Sequence, residues 1–246
     1  MGGAAGLVVE FVGLPGAGKS ALSRQVAGLL RAAGLVVSEP TSRLDQVGAA
    51  SRTLAKVGYG TGAAMTAPLT GVRWVRTFIE MKQRSLADTG RVALNWLFLA
   101  GLTGRLKHRA GVHLLDQGIF QGLWSAAYAA REGAIKPPEL VARVLQTLPP
   151  RMLVIVVETS SDTLRRRLHE RLGGDSRLER DLAMGESAGS MGRAVAAFAS
   201  MQELLDLLEG RGSIAVMRVQ GEHPELLHIT AEAVAGRIIG ASSVRR

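Results

Sequence analysis

The chain has 246 residues, 47% of them apolar and 21% charged, enough to bury a core and too apolar for disorder to dominate. It contains no cysteine, which removes disulfides, thiolate metal sites and cysteine nucleophiles together. Thirty basic against 21 acidic residues leave a net charge of +9, while aromatic residues make up only 4%, too few for a base-stacking platform.

Only Lys19, Lys56, Lys82, Lys107 and Lys136 are lysines, so arginine carries nearly all the positive charge. Arginine forks match phosphate and carboxylate oxygens in pairs, which suits an anionic ligand; GC-rich codon usage produces the same bias without any ligand. No positively charged segment precedes the first apolar run. The longest apolar stretch, 92–102, falls short of the about 20 residues that span a bilayer. A cytoplasmic protein without a membrane segment is expected.

Strand and helix patterns alternate along the chain. Leu7–Val12 reads as a buried strand ending in glycine, and Ser20–Ala33 as a helix with Leu22, Val26, Leu29 and Leu30 on one face. Gly34 stops it, and Leu35–Ser38 is a second strand. The small, polar residues of 42–67 suggest loops or short helices. Two amphipathic segments follow, 72–87 and 91–107, with Thr89-Gly90 expected to break them. Val112–Asp116 is the next strand, followed by a helix to Ala130 and a short one opened by Pro137-Pro138. Met152–Val157 is a buried strand, and Ser161 or Asp162 is expected to cap the arginine-rich helix after it. Gly173-Gly174 breaks that helix. Arg193–Leu208 is helical, Ser213–Val219 a strand and Pro224–Ile239 the last helix. Continuous apolar strands alternating with helices specify a parallel sheet covered on both faces. One domain over 1–246 is expected.

Gly13-Leu-Pro-Gly-Ala-Gly18-Lys19-Ser20 fits G-x-x-x-x-G-K-[ST], between a strand and a helix as that motif requires. Its glycines let backbone N–H groups turn inward around a phosphate, and the following helix adds its N-terminal dipole. Gly13, Pro15, Gly16, Ala17, Gly18, Lys19, Ser20 and Ala21 are therefore the candidate nucleotide-binding residues, with Lys19 on the β- and γ-phosphates and Ser20 on Mg²⁺. The chain has no Asn-Lys-x-Asp guanine-reading run and no Leu-Ser-Gly-Gly-Gln run, which disfavours GTPases and transporter ATPases.

Further features lie downstream. Glu39-Pro40 ends the second strand. Asp116 closes the strand Val112–Asp116 as a Walker B acid would, in reach of a Mg²⁺ shell. Arg167 and Arg171, four apart on one helix face, precede a Gly-Gly hinge and Arg177. Val219-Gln-Gly-Glu-His-Pro224 follows the last strand. With the P-loop, these features resemble the thymidylate kinase and deoxynucleoside kinase group of P-loop kinases. The resemblance is thin but extends over most of the chain. It implies a three-layer α/β/α P-loop fold with a five-stranded parallel sheet, a helical acceptor insertion at about 71–108 and an arginine-rich lid at about 167–190. It also implies ATP and Mg²⁺ as cofactors, Ser20 and Asp116 around the metal, and Glu39 or Asp116 as base. Arg167, Arg171 and Arg177 would then neutralise the transferring phosphoryl group, with 219–224 beside adenine. Arg73, Arg76, Arg91 and Arg105 are candidate acceptor contacts. The sequence departs from the thymidylate kinases at Gln117, where they carry an arginine for the acceptor phosphate.

The reading is an ATP-dependent small-molecule kinase with a nucleoside, nucleotide or similar acceptor. The alternatives are an ATP-binding regulator without catalysis, suggested by Gln117, and a nucleic-acid-linked ATPase or polynucleotide end kinase, suggested by the net charge. Nucleic acid is the less expected partner, because aromatics are few and helicase motifs absent. The five histidines show no metal-ligand spacing, and His113, Trp74, Trp96 and Trp124 read as packing residues. Apolar helix faces near Trp74 and Phe98 are expected to be exposed and would suit a homodimer.

Overall fold

The computed structural model describes residues 6–41, 76, 78–81, 83, 85–130, 137–170, 177–183 and 187–243. Five strands form one sheet: β1 (Leu7–Val12), β2 (Val37–Ser38), β3 (Val112–Leu115), β4 (Met152–Glu158) and β5 (Ala215–Gln220). Every pairing is parallel and the order is β2-β3-β1-β4-β5, so β1 lies at the centre between β3 and β4. All six β1 residues are buried, as are six of the seven in β4, which is the continuous apolar pattern of a sheet covered on both faces. The edge strands β2 and β5 are more exposed.

The described helices are α1 (Lys19–Ala32), α2 (Leu86–Leu106), α3 (Ile119–Ala129), α4 (Pro137–Leu145), α5 (Ser161–Glu170), α6 (Arg177–Ala183), α7 (Ser187–Gly210) and α8 (Leu227–Ser243), the last preceded by a 3₁₀ turn at Pro224–Leu226. Alternation along β1 divides the layers. Val8 packs under α2 with Phe98, Leu99, Leu102, Leu106 and Leu115, on the face where α3 and α7 also lie. Val9 and Phe11 point to the other face, covered by α1 and α8, which pack on one another. The result is a three-layer α/β/α fold around a parallel five-stranded sheet, the covered parallel sheet being what the strand and helix alternation leads one to expect.

Several boundaries differ from expectation. Thr89-Gly90 does not break a helix; α2 runs through it. Ser85 caps α2 by accepting from the Asp88 N–H, and the Thr89 hydroxyl donates to the Ser85 carbonyl, so the polar pair completes a first turn. Phe98 is 3% exposed beneath the sheet, which removes it from any exposed apolar face; Trp74, the other residue of that expectation, lies outside the described residues. The hydroxyl accepting from the first turn of α5 belongs to Ser160, bonded by the Thr163 N–H, rather than to Ser161 or Asp162. His113 is a packing residue as expected, its ring nitrogens 2.7 Å from Ser38 Oγ and 3.0 Å from the Arg109 carbonyl. The segment 42–67, most of the segment 72–87, and the Gly173-Gly174 pair lie outside the described residues. No helix among the described residues is long and apolar enough to cross a membrane.

Candidate active site

β1 ends in a tight loop whose Gly16 (φ 88°) and Gly18 (φ 95°) sit in the left-handed region that side chains disfavour. Gly18 is also the N-cap of α1 and offers no side-chain bond, and the first turn of α1 carries no acid. The N-terminal N–H groups and helix dipole are thereby left for an anion. Lys19 Nζ donates to the carbonyls of Gly13 (2.9 Å) and Leu14 (3.0 Å), folded along the loop it would serve.

Ser20 and Asp116, each read from the sequence as a neighbour of Mg²⁺, are brought together. The Ser20 hydroxyl donates to Asp116 Oδ2 at 2.7 Å, and the Asp116 N–H donates to Thr41 Oγ1 at 3.0 Å. Asp116 is 8% exposed, and its Oδ1 has no protein partner among the described residues. A hydroxyl and an underused buried carboxylate oxygen beside a phosphate-type loop are hard oxygen donors that fit Mg²⁺, which keeps waters and phosphates as its other ligands. No cluster of three or more acids and histidines suited to a metal occurs among the described residues, so a cage made only of protein ligands is not what this arrangement offers.

The P-loop separates two cavities. The smaller, about 170 Å³, lies between Gly16–Leu22 and the segment 220–230, with Val157, Gln220, Gly221, His223, Pro224 and Leu227 in its wall. Gly221 packs so closely that a Cβ there would overlap the Ala17 carbonyl oxygen, which is why the loop after β5 can reach the P-loop at all. Arg167 fastens this corner, with Nη1 donating to the carbonyls of Gly16 (3.2 Å) and Gly221 (2.8 Å) and Nη2 to that of Glu222 (2.8 Å). The Glu222 carboxylate in turn accepts from the Ser160 N–H at 3.0 Å. Arg167 thus spans the P-loop and the 221–222 loop.

The larger cavity, about 580 Å³, opens on the other side of Lys19 and Ser20. Asp116, Gln117 and Gly118 form its base, Gln121, Trp124, Ser125 and Tyr128 its α3 wall, Asn95 and Leu99 its α2 wall, and Glu179 and Arg180 its α6 wall. Trp124 and Tyr128 stack (centroids 5.7 Å, planes 10° apart), and the Trp124 indole N–H donates to the Ala194 carbonyl. The Tyr128 hydroxyl donates to Asp181 Oδ2 at 2.6 Å, tying α3 to α6; burial, with help from the Asp181 carboxylate, holds that hydroxyl above the usual tyrosine range.

The other expected residues are placed differently. Glu39 is paired with Arg31 of α1 and lines neither cavity among the described residues. Arg171 lies outside the described residues, and Arg177 begins α6. Arg76 pairs with Glu80 and Arg91 lies 3.9 Å from Asp88, both away from the cavity walls; Arg73 is outside the described residues. Arg105, in the last turn of α2, lines neither cavity.

Two groups escaped the sequence reading. Gln121, Ser125 and Tyr128 form a polar stripe at i, i+4 and i+7 of an otherwise apolar helix, a spacing that marks one face. Glu10 is the lone charge inside the apolar run of β1, and it is fully buried. Its Oε1 accepts from the Gln121 N–H at 2.8 Å, and the N–H groups of Gly118, Ile119 and Phe120 also face it. Burial pushes its pKa from 4.5 to about 8 against the pull of those N–H groups. The signal was present, since an acid within a buried strand always needs a partner.

No family model matches the chain, and no curated protein sequence matches it. Solved structures do match. One is a deoxyadenosine kinase from M. mycoides with bound dCTP, with a TM-score of 0.51 and 11% identity over 95% of this chain and 100% of that one. At that identity the likeness is one of fold: both chains have the architecture of a P-loop kinase of the nucleoside kinase type.

Proposed function

We propose that this chain is an ATP-dependent small-molecule kinase of the nucleoside/nucleotide kinase type, transferring the γ-phosphoryl group to an acceptor bound in the larger cavity. The observation that carries this reading is the placement of the P-loop between two cavities, with Gly16, Gly18 and Ala21 in the walls of both. A donor whose base sat in the smaller cavity would lay its phosphates along Gly13–Ser20 and present the terminal one at the mouth of the larger. On this reading 1–246 works as one domain, with 71–108 as the acceptor region and 167–190 as the lid.

In the reaction, an acceptor oxygen attacks the γ-phosphorus, the bond to the β–γ bridging oxygen breaks, and ADP leaves. The acceptor proton passes to a carboxylate, Asp116 or Glu39; of the two, Asp116 stands on the cavity wall. The P-loop N–H groups hold the donor, and Lys19 leaves its two carbonyls to take phosphate oxygens. Ser20 Oγ and Asp116 would hold Mg²⁺, which supplies charge neutralisation for the phosphates. Arg171 and Arg177 are the proposed lid cations. Arg167 acts one step back, holding the base-side loop against the P-loop through three carbonyls.

The acceptor wall, which also carries the charged Arg24, Glu179 and Arg180, suits a hydroxyl-bearing compound. It presents the amides of Asn95, Gln117 and Gln121 and the stacked Trp124–Tyr128 pair, and Gln117 replaces the arginine that grips an acceptor phosphate in thymidylate kinases. The fold likeness to a deoxyadenosine kinase supports a nucleoside within that class.

The test is transfer from γ-labelled ATP with Mg²⁺ into a pool of nucleosides, nucleoside monophosphates, sugars, amino alcohols and 5′-hydroxyl oligonucleotides, beside Lys19→Ala. A labelled nucleoside that disappears with Lys19→Ala is the expected result. Tight ATP binding with no labelled acceptor at all would reject transfer and leave the ATP-binding regulator.

A further inference from the structure

Glu10 and Gly118, which the reaction above does not use, form a connected set with Gln121 and Gly13. Glu10 belongs to the central strand and Gln121 to the wall of the larger cavity. Gly118, the N-cap of α3, contributes no side-chain bond to that helix, whose first turn also lacks an acid. The unpaired N–H groups of the turn must be satisfied from elsewhere. Glu10 does this from the strand beneath, with Oε1 2.8 Å from the Gln121 nitrogen. Gly118 is glycine for space, since a Cβ would stand 2.5 Å from Glu10 Oε2.

The side chain of Gln121 then continues the line. Its Oε1 accepts from the Gly13 N–H at 3.3 Å, at the first glycine of the P-loop. Because the P-loop partner is a donor, the amide oxygen must face it and Nε2 must turn away. That Nε2 has no partner among the described residues, and Gln121 lines the cavity. Gly13 is in turn one of the two carbonyls on which Lys19 rests. One amide side chain therefore joins the acceptor wall to the start of the phosphate loop, held at its backbone by a buried carboxyl.

We propose that Gln121 tethers the P-loop to the acceptor wall through Gly13, and that Glu10 is the positioning residue that fixes Gln121. The kinetic part of this inference rests on the kinase reading, whereas the tether stands apart from it. Loss of the tether leaves the first turn of the P-loop free to shift relative to the acceptor, so turnover suffers more than the ability to bind either ligand.

The experiment reads the Gly13 amide directly. Labelling valine carbonyls with ¹³C and glycine nitrogens with ¹⁵N restricts the spectrum to glycines that follow valine, namely Gly13, Gly48 and Gly58. The Gly13 resonance is expected to move in Gln121→Leu and Glu10→Leu and to hold its place in Glu10→Gln, which still accepts from the Gln121 N–H. An unmoved Gly13 resonance in Gln121→Leu overturns the tether whether or not the protein is a kinase. In the transfer assay, kcat should fall about tenfold in Glu10→Leu, the equivalent of one lost hydrogen bond, and be restored in Glu10→Gln. Equal losses in both Glu10 variants would overturn the positioning role, since a carboxyl needed for its own chemistry is not replaced by an amide. A wild-type protein that transfers no phosphate rejects the kinase reading alone, and the Gly13 resonance then decides the tether.

Discussion

The carboxyl of Glu10 occupies the space where residue 118 would otherwise carry a side chain, 2.5 Å from the position of a Cβ on Gly118. The two are 108 residues apart, and their fit lets α3 begin directly over the central strand. Gly118 has an extended φ of −125°, so its backbone would admit any residue and only the carboxyl forbids one. Gly118→Ala should destabilise the protein by about 1–3 kcal/mol, as overpacking does. Urea unfolding of Gly118→Ala, Glu10→Ala and the double variant checks the cause. Costs that simply add in the double variant would contradict a steric origin, because residues in contact couple.

Glu10 also makes stability depend on pH in a direction opposite to that of a salt-bridged acid. With the folded carboxyl raised to about 8 from 4.5, the folded state holds a proton that the unfolded state has released between those values. Stability contributed by the protonated carboxyl is full below about pH 4.5 and is lost as pH rises to about 8, at up to about 1.4 kcal/mol per unit. Glu10→Gln carries no such proton. The stability difference between wild type and Glu10→Gln should shift against wild type from pH 5 to pH 8 in urea titrations. A difference that stays constant over that range would show an ordinary carboxylate.

Lys19→Ala and Asp116→Asn separate donor binding from transfer. On the proposed kinase reading each removes a charge from beside the phosphates and should lower kcat by on the order of 100-fold, the usual cost of one preorganised electrostatic contact. Asp116→Asn keeps an oxygen for the Ser20 hydroxyl, which now donates at 2.7 Å. ATP binding without Mg²⁺ should therefore survive in Asp116→Asn, while the gain that Mg²⁺ adds to binding should shrink. Calorimetry with and without the metal gives the answer; an unchanged gain would remove Asp116 from the metal site.

Arg167→Ala should weaken ATP binding by about tenfold or more, because three carbonyls lose a charged donor and the 221–222 loop loses its fastening to Gly16. Arg167→Lys should recover little, since an ammonium cannot span the three acceptors with a planar fork. The measurement is the ATP dissociation constant beside the acceptor KM. A variant that keeps its ATP affinity and loses only kcat would return Arg167 to the transferring phosphate and displace it from the loop.

Residues whose role depends on near neighbours in the chain are legible in the sequence alone. The glycines at 16 and 18, the lysine and serine after them, and the acid at the end of β3 announce themselves by spacing, and the structure brings Ser20 and Asp116 together. Glu39 and Arg167 have types as suggestive as theirs, yet their partners are Arg31 and three carbonyls. A charged side chain shows in the sequence that it must be satisfied, without showing by what. Thr89-Gly90 misled for a related reason, since a polar pair that often ends a helix here completes the first turn of one capped by Ser85.

What the sequence determined by itself is local: the P-loop follows from its glycine spacing, the buried strands and the parallel character of the sheet from continuous apolar runs, and most helices from the 3.6-residue period. The strand order β2-β3-β1-β4-β5, the two cavities flanking the loop, and the line from Glu10 through Gln121 to Gly13 were decided only in the tertiary structure. Those contacts join residues far apart in the chain, 111 and 108 positions along the line from Glu10 to Gly13, and their energy arises from desolvation and close fit between surfaces that exist only once the layers have packed.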